Sequence, residues 1–208
     1  MDSAPTDDVF RSVAGPATVE FKVRGSRFIG EAYPIQDEHG AARRLAEARK
    51  TFFDATHRCF AYRLGAAGDR YRVGDDGEPS GTAGQPIYQQ IESFGLTDTL
   101  VVVIRYFGGT KLGRGGLARA YGEVARHVLE RCRIIEHFLR DRFSVSFEYD
   151  DTSPAMHTIE RFNGEIVATE YTDVTHLTVD VRRSRSHDFE KTFAGSLRGR
   201  GSVEKIGG

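Results

Sequence analysis

LVVVIRYFGGTKLGRGGLARAYGEVARHVLERC, residues 100–132, reads as three joined pieces. LVVVIRYF is the most apolar segment of the chain and is expected as a central strand, buried on both faces. Five glycines within nine residues (Gly108, Gly109, Gly113, Gly115 and Gly116) then leave many backbone amides unshielded by side chains. A long helix follows, with Leu117, Tyr121, Val124, Val128, Cys132 and Ile135 on one stripe.

On the N-terminal side, ATVEFKV and SRFIGEAYPI are two strands joined at Arg24-Gly25. A helix is expected over about 37–54, with Ala42, Leu45, Ala46, Phe52 and Phe53 on its apolar face. RCFAYRL and DRYRV are strands across a glycine-containing turn. Thr82 is placed to cap a short helix carrying Ile87, Ile91 and Phe94 at helical spacing. On the C-terminal side the order is strand FSVSFEY, helix 153–162, strands EIVATEY and THLTVDV, helix 186–197 and strand GSVEKI. That βαββαβ order is ferredoxin-like. The expected organisation is therefore α+β in two domains: a polar lead over 1–18, an N-terminal domain over 19–138 and a ferredoxin-like domain over 139–208. With no Pro, Gly or Ser run near 136–141, the connection is expected to be continuous and fairly stiff.

Composition narrows the function. Of 208 residues, 39% are hydrophobic and 28% charged, enough for a buried core and unlike a disordered chain. The longest apolar run, Leu100 to Ile104, is far below the roughly 18–20 residues of a membrane span. The acidic start MDSAPTDDVF lacks the basic and apolar regions of a signal peptide. Two cysteines, Cys59 and Cys132, make no disulfide framework, so a cytoplasmic setting is expected.

The net charge of −1 conceals blocks of opposite sign. Residues 101–140 carry eight bases against three acids, and residues 147–180 carry eight acids against Arg161 alone. A basic block suits phosphate, although arginine and glutamate also simply solvate helix faces. Arginine outnumbers lysine 24 to 5, which fits RNA contacts but equally a GC-rich genome.

Two glycine-rich segments can carry chemistry. In VGDDGEPSGTAGQP (73–86), Asp75, Asp76 and Glu78 lie within four residues. They could bind a cation or supply an acid; the plain structural alternative is a turn whose carboxylates accept backbone amides before a capped helix. The spacing is not that of an EF-hand, and no metal is expected. In RYFGGTKLGRGGLARAY (105–121), unshielded amides, a helix start and the bases Lys111, Arg114 and Arg119 make an anion or phosphate site. Two nucleotide motifs fail here. Arg114-Gly115 replaces the Lys-Ser/Thr pair of a phosphate-binding P-loop, and Gly113-x-Gly115-x-x-Ala118 lacks an acidic residue at the end of a second strand. His57 and Cys59 share a strand face and are read as a hydrogen-bonded histidine and a buried thiol, not a nucleophile pair. Phe28, Tyr62, Tyr106 and Phe107 could stack on bases, but core packing is the default reading.

The segments SRFI (26–29), HRCFAYRLG (57–65), DDGEPSGTAGQPI (75–87) and VVVIRYFGGTKLGRGGLARAY (101–121) resemble the IMPACT/YigZ family. The resemblance is strong over about 19–135, and the remainder resembles the bacterial C-terminal extension by element order. It implies an N-terminal domain like domain two of ribosomal protein S-five and a ferredoxin-like second domain, both similar to domains of elongation factor G that meet ribosomal RNA. Eukaryotic members regulate translation with an additional domain that about 18 leading residues cannot supply, so their partner is not carried over. Carried residue by residue, the family's motif surface comprises Arg27, His57, Asp75, Asp76, Glu78, Thr82, Arg105, Lys111, Gly113, Gly115 and Arg119. Arg114 is added from its place in the loop, as are Gly108 and Gly109.

The expected function is that of a non-enzymatic, translation-associated regulator that binds the ribosome or structured RNA through the basic glycine-rich loop. No catalytic residue, cofactor or metal is assigned. One alternative is an enzyme or binding protein for a phosphorylated small molecule, which requires the acidic and basic loops to lie side by side. The other is a protein-interaction module using an apolar patch on the ferredoxin-like sheet.

Overall fold

The computed structural model describes residues 8–207 and divides into two compact units. One runs Phe10–His137; the other takes Phe138 onward together with Asp8 and Val9. No described helix is long and apolar enough to cross a membrane.

The first unit is built on a five-stranded antiparallel sheet. β2 (Ala17–Val23) and β3 (Ser26–Pro34) form a hairpin whose two turn residues, Arg24 and Gly25, both have positive φ, 46° and 83°. That backbone matches the twist of the flanking strands. After β3 come α1 (Glu38–Thr51), β4 (His57–Leu64), β5 (Arg70–Gly74), α2 (Gly84–Ser93), β6 (Thr99–Tyr106) and α3 (Gly113–Arg131). The sheet order β2-β3-β6-β4-β5 puts the apolar strand β6 at the centre, as expected. Alternation along β6 serves two cores. Val101 and Val103 pack with Phe28, Cys59, Ile87 and Ile91 and with Leu117, Tyr121, Val124 and Val128 of α3. Leu100, Val102 and Ile104 pack with Ile29, Tyr62 and Leu64 and with Ala41 and Ala48 of α1.

Several local readings are corrected. Strand β1 (Val9–Val13) lies inside the stretch expected to be a polar lead, and it joins β7 (Ile134–Phe138) in a separate two-stranded sheet; residues 1–7 of that lead lie outside the described residues. The stripe of α3 ends earlier than read: the helix stops at Arg131, Cys132 is its C-cap and Ile135 belongs to β7. On α1 the buried residues are Ala41 and Ala48, Ala42 and Ala46 are exposed, and Phe53 lies beyond the helix end. Phe28 and Tyr62 are core, 0% and 5% exposed, whereas Phe107 is 47% exposed.

The second unit contains β8 (Arg140–Phe147), α4 (Thr152–Arg161), β9 (Glu165–Tyr171), β10 (Thr175–Arg182), α5 (Ser186–Ser196) and β11 (Ser202–Gly207). The sheet order β11-β8-β10-β9 and its antiparallel pairing give the ferredoxin-like arrangement. Phe143, Val145, Phe147, Val179 and Val181 face Ile159 of α4 and Phe189 and Phe193 of α5. The opposite face carries Ser144 beside Thr178, Ser146 beside His176, and the Arg142–Asp180 ion pair. An interaction module was expected to show an apolar patch on this sheet: the central strands β8 and β10 are polar on that face, while the edge strands β9 and β11 expose Ile166, Val167, Tyr171 and Ile206. Together the units make an α+β, two-domain chain.

Candidate anion-binding site

Four connections of the first unit meet at one end of its sheet. Phe28 and His57 flank Arg105 on the neighbouring strands, close to where β6 ends. The Arg24-Gly25 turn touches the glycine loop through Ser26, whose Oγ accepts the Gly108 amide at 3.2 Å. The turn after α1 is tied to the same strand end: Thr56 N donates to Arg105 O, and Phe107 N donates to Thr56 Oγ1. The acidic loop meets the glycine loop where Arg114 Nη2 donates to Ser80 O at 2.8 Å. The two glycine-rich segments, 27 residues apart at Glu78 and Arg105, therefore lie side by side.

A buried ion pair locks them. Arg105 is 4% exposed; its Nη1 donates to Glu78 Oε1 at 2.6 Å and its Nη2 to Ser26 Oγ at 3.2 Å. The same Glu78 oxygen accepts the Tyr121 hydroxyl at 2.8 Å, and His57 Nε2 stands 3.8 Å away. Arg105 Nε is buried with no partner, an unused donor beside the glycine loop. Burial, reinforced by Cys59 and Glu78, pushes the Tyr121 phenol up, so it stays a donor. Burial likewise pushes the Cys59 thiol up, and its Sγ donates to Asp75 O. A protonated, enclosed thiol is a packing group, not a nucleophile.

The remaining acids are committed to the backbone. The Asp75 carboxylate accepts the amides of Gly81, Ala83 and Gly84 at 2.8, 3.0 and 2.8 Å, capping α2 from a distance. Thr82, expected as that cap, instead donates to Pro79 O at 2.6 Å. Asp76 Oδ2 accepts the Arg58 amide, and the Asp76 carbonyl meets His57 Nδ1 at 2.9 Å. Each carboxylate points to a different protein partner, which is the helix-capping alternative and not a cation cage.

The glycine loop is different. Phe107 through Lys111 and Gly113 through Gly115 are exposed. α3 starts at Gly113 with no side-chain cap and no acid in its first turn. A side chain at Gly109, Gly113 or Gly115 would meet nothing within 4 Å. Lys111, Arg114 and Arg119 are exposed and form no ion pair among the described residues. Uncapped amides at the positive end of a 19-residue helix, with Lys111 and Arg114 beside them, favour an anion; Arg119 lies further along, in a groove shared with Pro86, Gln89 and Gln90 of α2. Gly108 is required for a different reason: a Cβ there would lie 2.0 Å from the Gly25 backbone.

The structure thus gathers His57, Asp75, Asp76, Glu78, Arg105, Gly108 and Arg114 at one sheet end. Arg27 departs from the group. It lies on the other face of β3, bonds Glu20 at 2.9 Å and covers the Tyr106 ring. Reading the residues missed Ser26, the polar tip of Tyr121 and the exposed Phe53. Ser26 was visible only as the first residue of SRFI, and Tyr121 and Phe53 only as apolar positions on helix faces.

An antiparallel α+β unit with a glycine-lined helix start, followed by a ferredoxin-like unit, defines a two-domain class. The Impact N-terminal domain model matches residues 24–129, and the domain of unknown function DUF1949 matches residues 145–200. The chain belongs to the IMPACT family. It is 30% identical over 188 residues to the IMPACT family member YigZ of Escherichia coli (strain K12), covering 89% of this chain and 92% of that protein. It is 39% identical over 130 residues to the IMPACT family member YvyE of Bacillus subtilis (strain 168), covering 62% of this chain. The stretch matched there spans 60% of YvyE's own length. A crystal structure of a hypothetical protein is 28% identical with a TM-score of 0.69, over 96% of this chain and 98% of that one.

Proposed function

We propose that this protein is translation-associated and binds ribosomal or other structured RNA, with phosphates held at the glycine loop and the start of α3. The observation that supports this most is the uncapped first turn of α3, exposed and glycine-lined, beside Lys111 and Arg114. The acidic loop has a scaffolding role in this reading, because Asp75, Asp76 and Glu78 hold backbone amides and Arg105. The alternative of an enzyme acting on a phosphorylated small molecule has its requirement met, since the two loops lie side by side, but the hydrogen bonds that Asp75, Asp76 and Glu78 already accept within the protein favour scaffolding over acid or base work.

The test is co-sedimentation with ribosomes over a ladder of salt concentrations. With about four to six phosphates neutralised, log K falls against log salt with a slope of roughly −3 to −5. Lys111→Glu and Arg114→Glu each reduce that slope by about one unit. Unchanged slopes in both variants would remove the loop from the binding surface. Failure to sediment even at low salt would end the RNA reading.

A further inference from the structure

Two phenylalanines at the same end of the sheet have no place in either core. Phe53 is 79% exposed and Phe107 is 47% exposed. An exposed aromatic ring next to a basic, amide-lined loop has an obvious chemical complement: the π-face of a nucleobase whose phosphate lies on the loop.

The surrounding bonds hold the Phe107 ring and the backbone that carries Phe53. Phe107 immediately precedes Gly108, its amide is fixed on Thr56 Oγ1, and the Arg105 guanidinium carbon lies 5.5 Å from its ring centroid. One side of that ring therefore rests on a buried arginine while much of the rest meets solvent. The Phe53 turn is bound to the same strand end. Arg58 donates to the carbonyls of Phe52 and Phe53, and the Tyr106 hydroxyl donates to Asp54 at 2.9 Å. Arg24, exposed at the hairpin turn, and Lys111 add charge without an ion-pair partner among the described residues. A ring held from beneath loses little freedom when a base stacks on it.

We propose that this end of the protein binds unpaired nucleotides, with Phe107 as a stacking platform for a base whose phosphate lies on the glycine loop and Phe53, on the Tyr106 side of the sheet end, as a second platform. The proposal rests on the phosphate-binding reading above and narrows it, because bases inside a duplex present no free face to such rings.

The experiment compares a 12-nucleotide oligoadenylate with an RNA duplex of the same length, both titrated against the full chain at fixed salt. The oligoadenylate binds more tightly than the duplex. Phe53→Ala and Phe107→Leu each weaken oligoadenylate binding by about tenfold, within the range of one lost base stack, and leave its salt slope unchanged. Because the chain contains no tryptophan, Phe53→Trp supplies a single indole whose emission is quenched by oligoadenylate. Tyr149→Trp, at an 85%-exposed position in the other unit, is not quenched. Wild-type affinity in both phenylalanine variants, or equal losses on duplex and oligoadenylate, overturns the proposal. The phosphate reading survives either result as long as Lys111→Glu still lowers the salt slope. Absence of oligoadenylate binding at low salt overturns the proposal, while the phosphate reading falls only if the protein also fails to sediment with ribosomes.

Discussion

Glu78→Gln isolates what the lock between the two loops contributes. Glu78 Oε1 accepts Arg105 Nη1 at 2.6 Å and the Tyr121 hydroxyl at 2.8 Å, and the two charged side chains are only 4% and 5% exposed. Glutamine keeps the size and an acceptor oxygen but removes the negative charge, leaving a guanidinium buried without a counter-charge. Removing one member of a buried pair costs about 3–5 kcal/mol, and the retained acceptor places this change near 3 kcal/mol. In a unit running Phe10–His137, 1 kcal/mol moves the midpoint by roughly 3–5 °C, so its transition falls by about 10 °C. Calorimetry is the assay, because the two units need not melt together and only one transition should move. Tyr121→Phe removes a single hydrogen bond to the same charged oxygen and costs about 1.5 kcal/mol. The double variant costs less than the sum, since both act through one atom. A drop of under about 3 °C for Glu78→Gln would refute the reasoning, because only a solvent-screened pair is worth that little.

Gly108→Ala drives a methyl group into the Gly25 and Ser26 backbone and costs upward of 3 kcal/mol, whereas Gly115→Ala has open space and gains up to about 1 kcal/mol of helix propensity; paired thermal melts check the contrast. Asp75→Ala strips the acceptor from three amides, two of them at the buried residues Ala83 and Gly84, and costs about 3 kcal/mol; hydrogen exchange should show the first turn of α2 losing protection. The second unit should weaken in acid. Burial raises the Asp141 carboxyl, but Lys205, Ser186 and Arg183 outweigh it and hold it below the ordinary range; Ser184 lowers Asp8, and Arg142 lowers Asp180. Groups depressed in the folded state stabilise it above their unfolded value, and that stability disappears as pH falls below about 4. Circular dichroism over pH 2–6 reads the loss, and Asp141→Asn should flatten it.

What the chain reveals by eye is whatever repeats at short range. The central strand, the stripe Leu117-Tyr121-Val124-Val128 and the whole βαββαβ order follow from periodicities of two and 3.6. The glycine loop was legible for the same reason, since its composition alone exposes amides. The lock beneath it was not. Arg105 and Glu78 belong to separate segments, and only sheet pairing brings them together. Asp75 caps a helix that starts nine residues later, beyond the reach of any local capping signature. Phe53 was read onto the face of α1 because the helical period was carried past its end. The backbone leaves the helix at Phe52, with φ −109° and ψ 46°, so Phe53 falls outside that face.

The Asp8 contacts set an order of events for a chain made from its N-terminus. Its carboxylate receives the amide and hydroxyl of Ser184, 176 residues later, and its carbonyl receives the Leu139 amide. At a translation rate of about 5–20 residues per second, roughly 10–35 s separate synthesis of the two partners. The stretch from Phe10 to His137 is complete well inside that interval and is free to fold while Asp8 waits. The ferredoxin-like unit closes only when its last elements arrive and capture a residue made long before them.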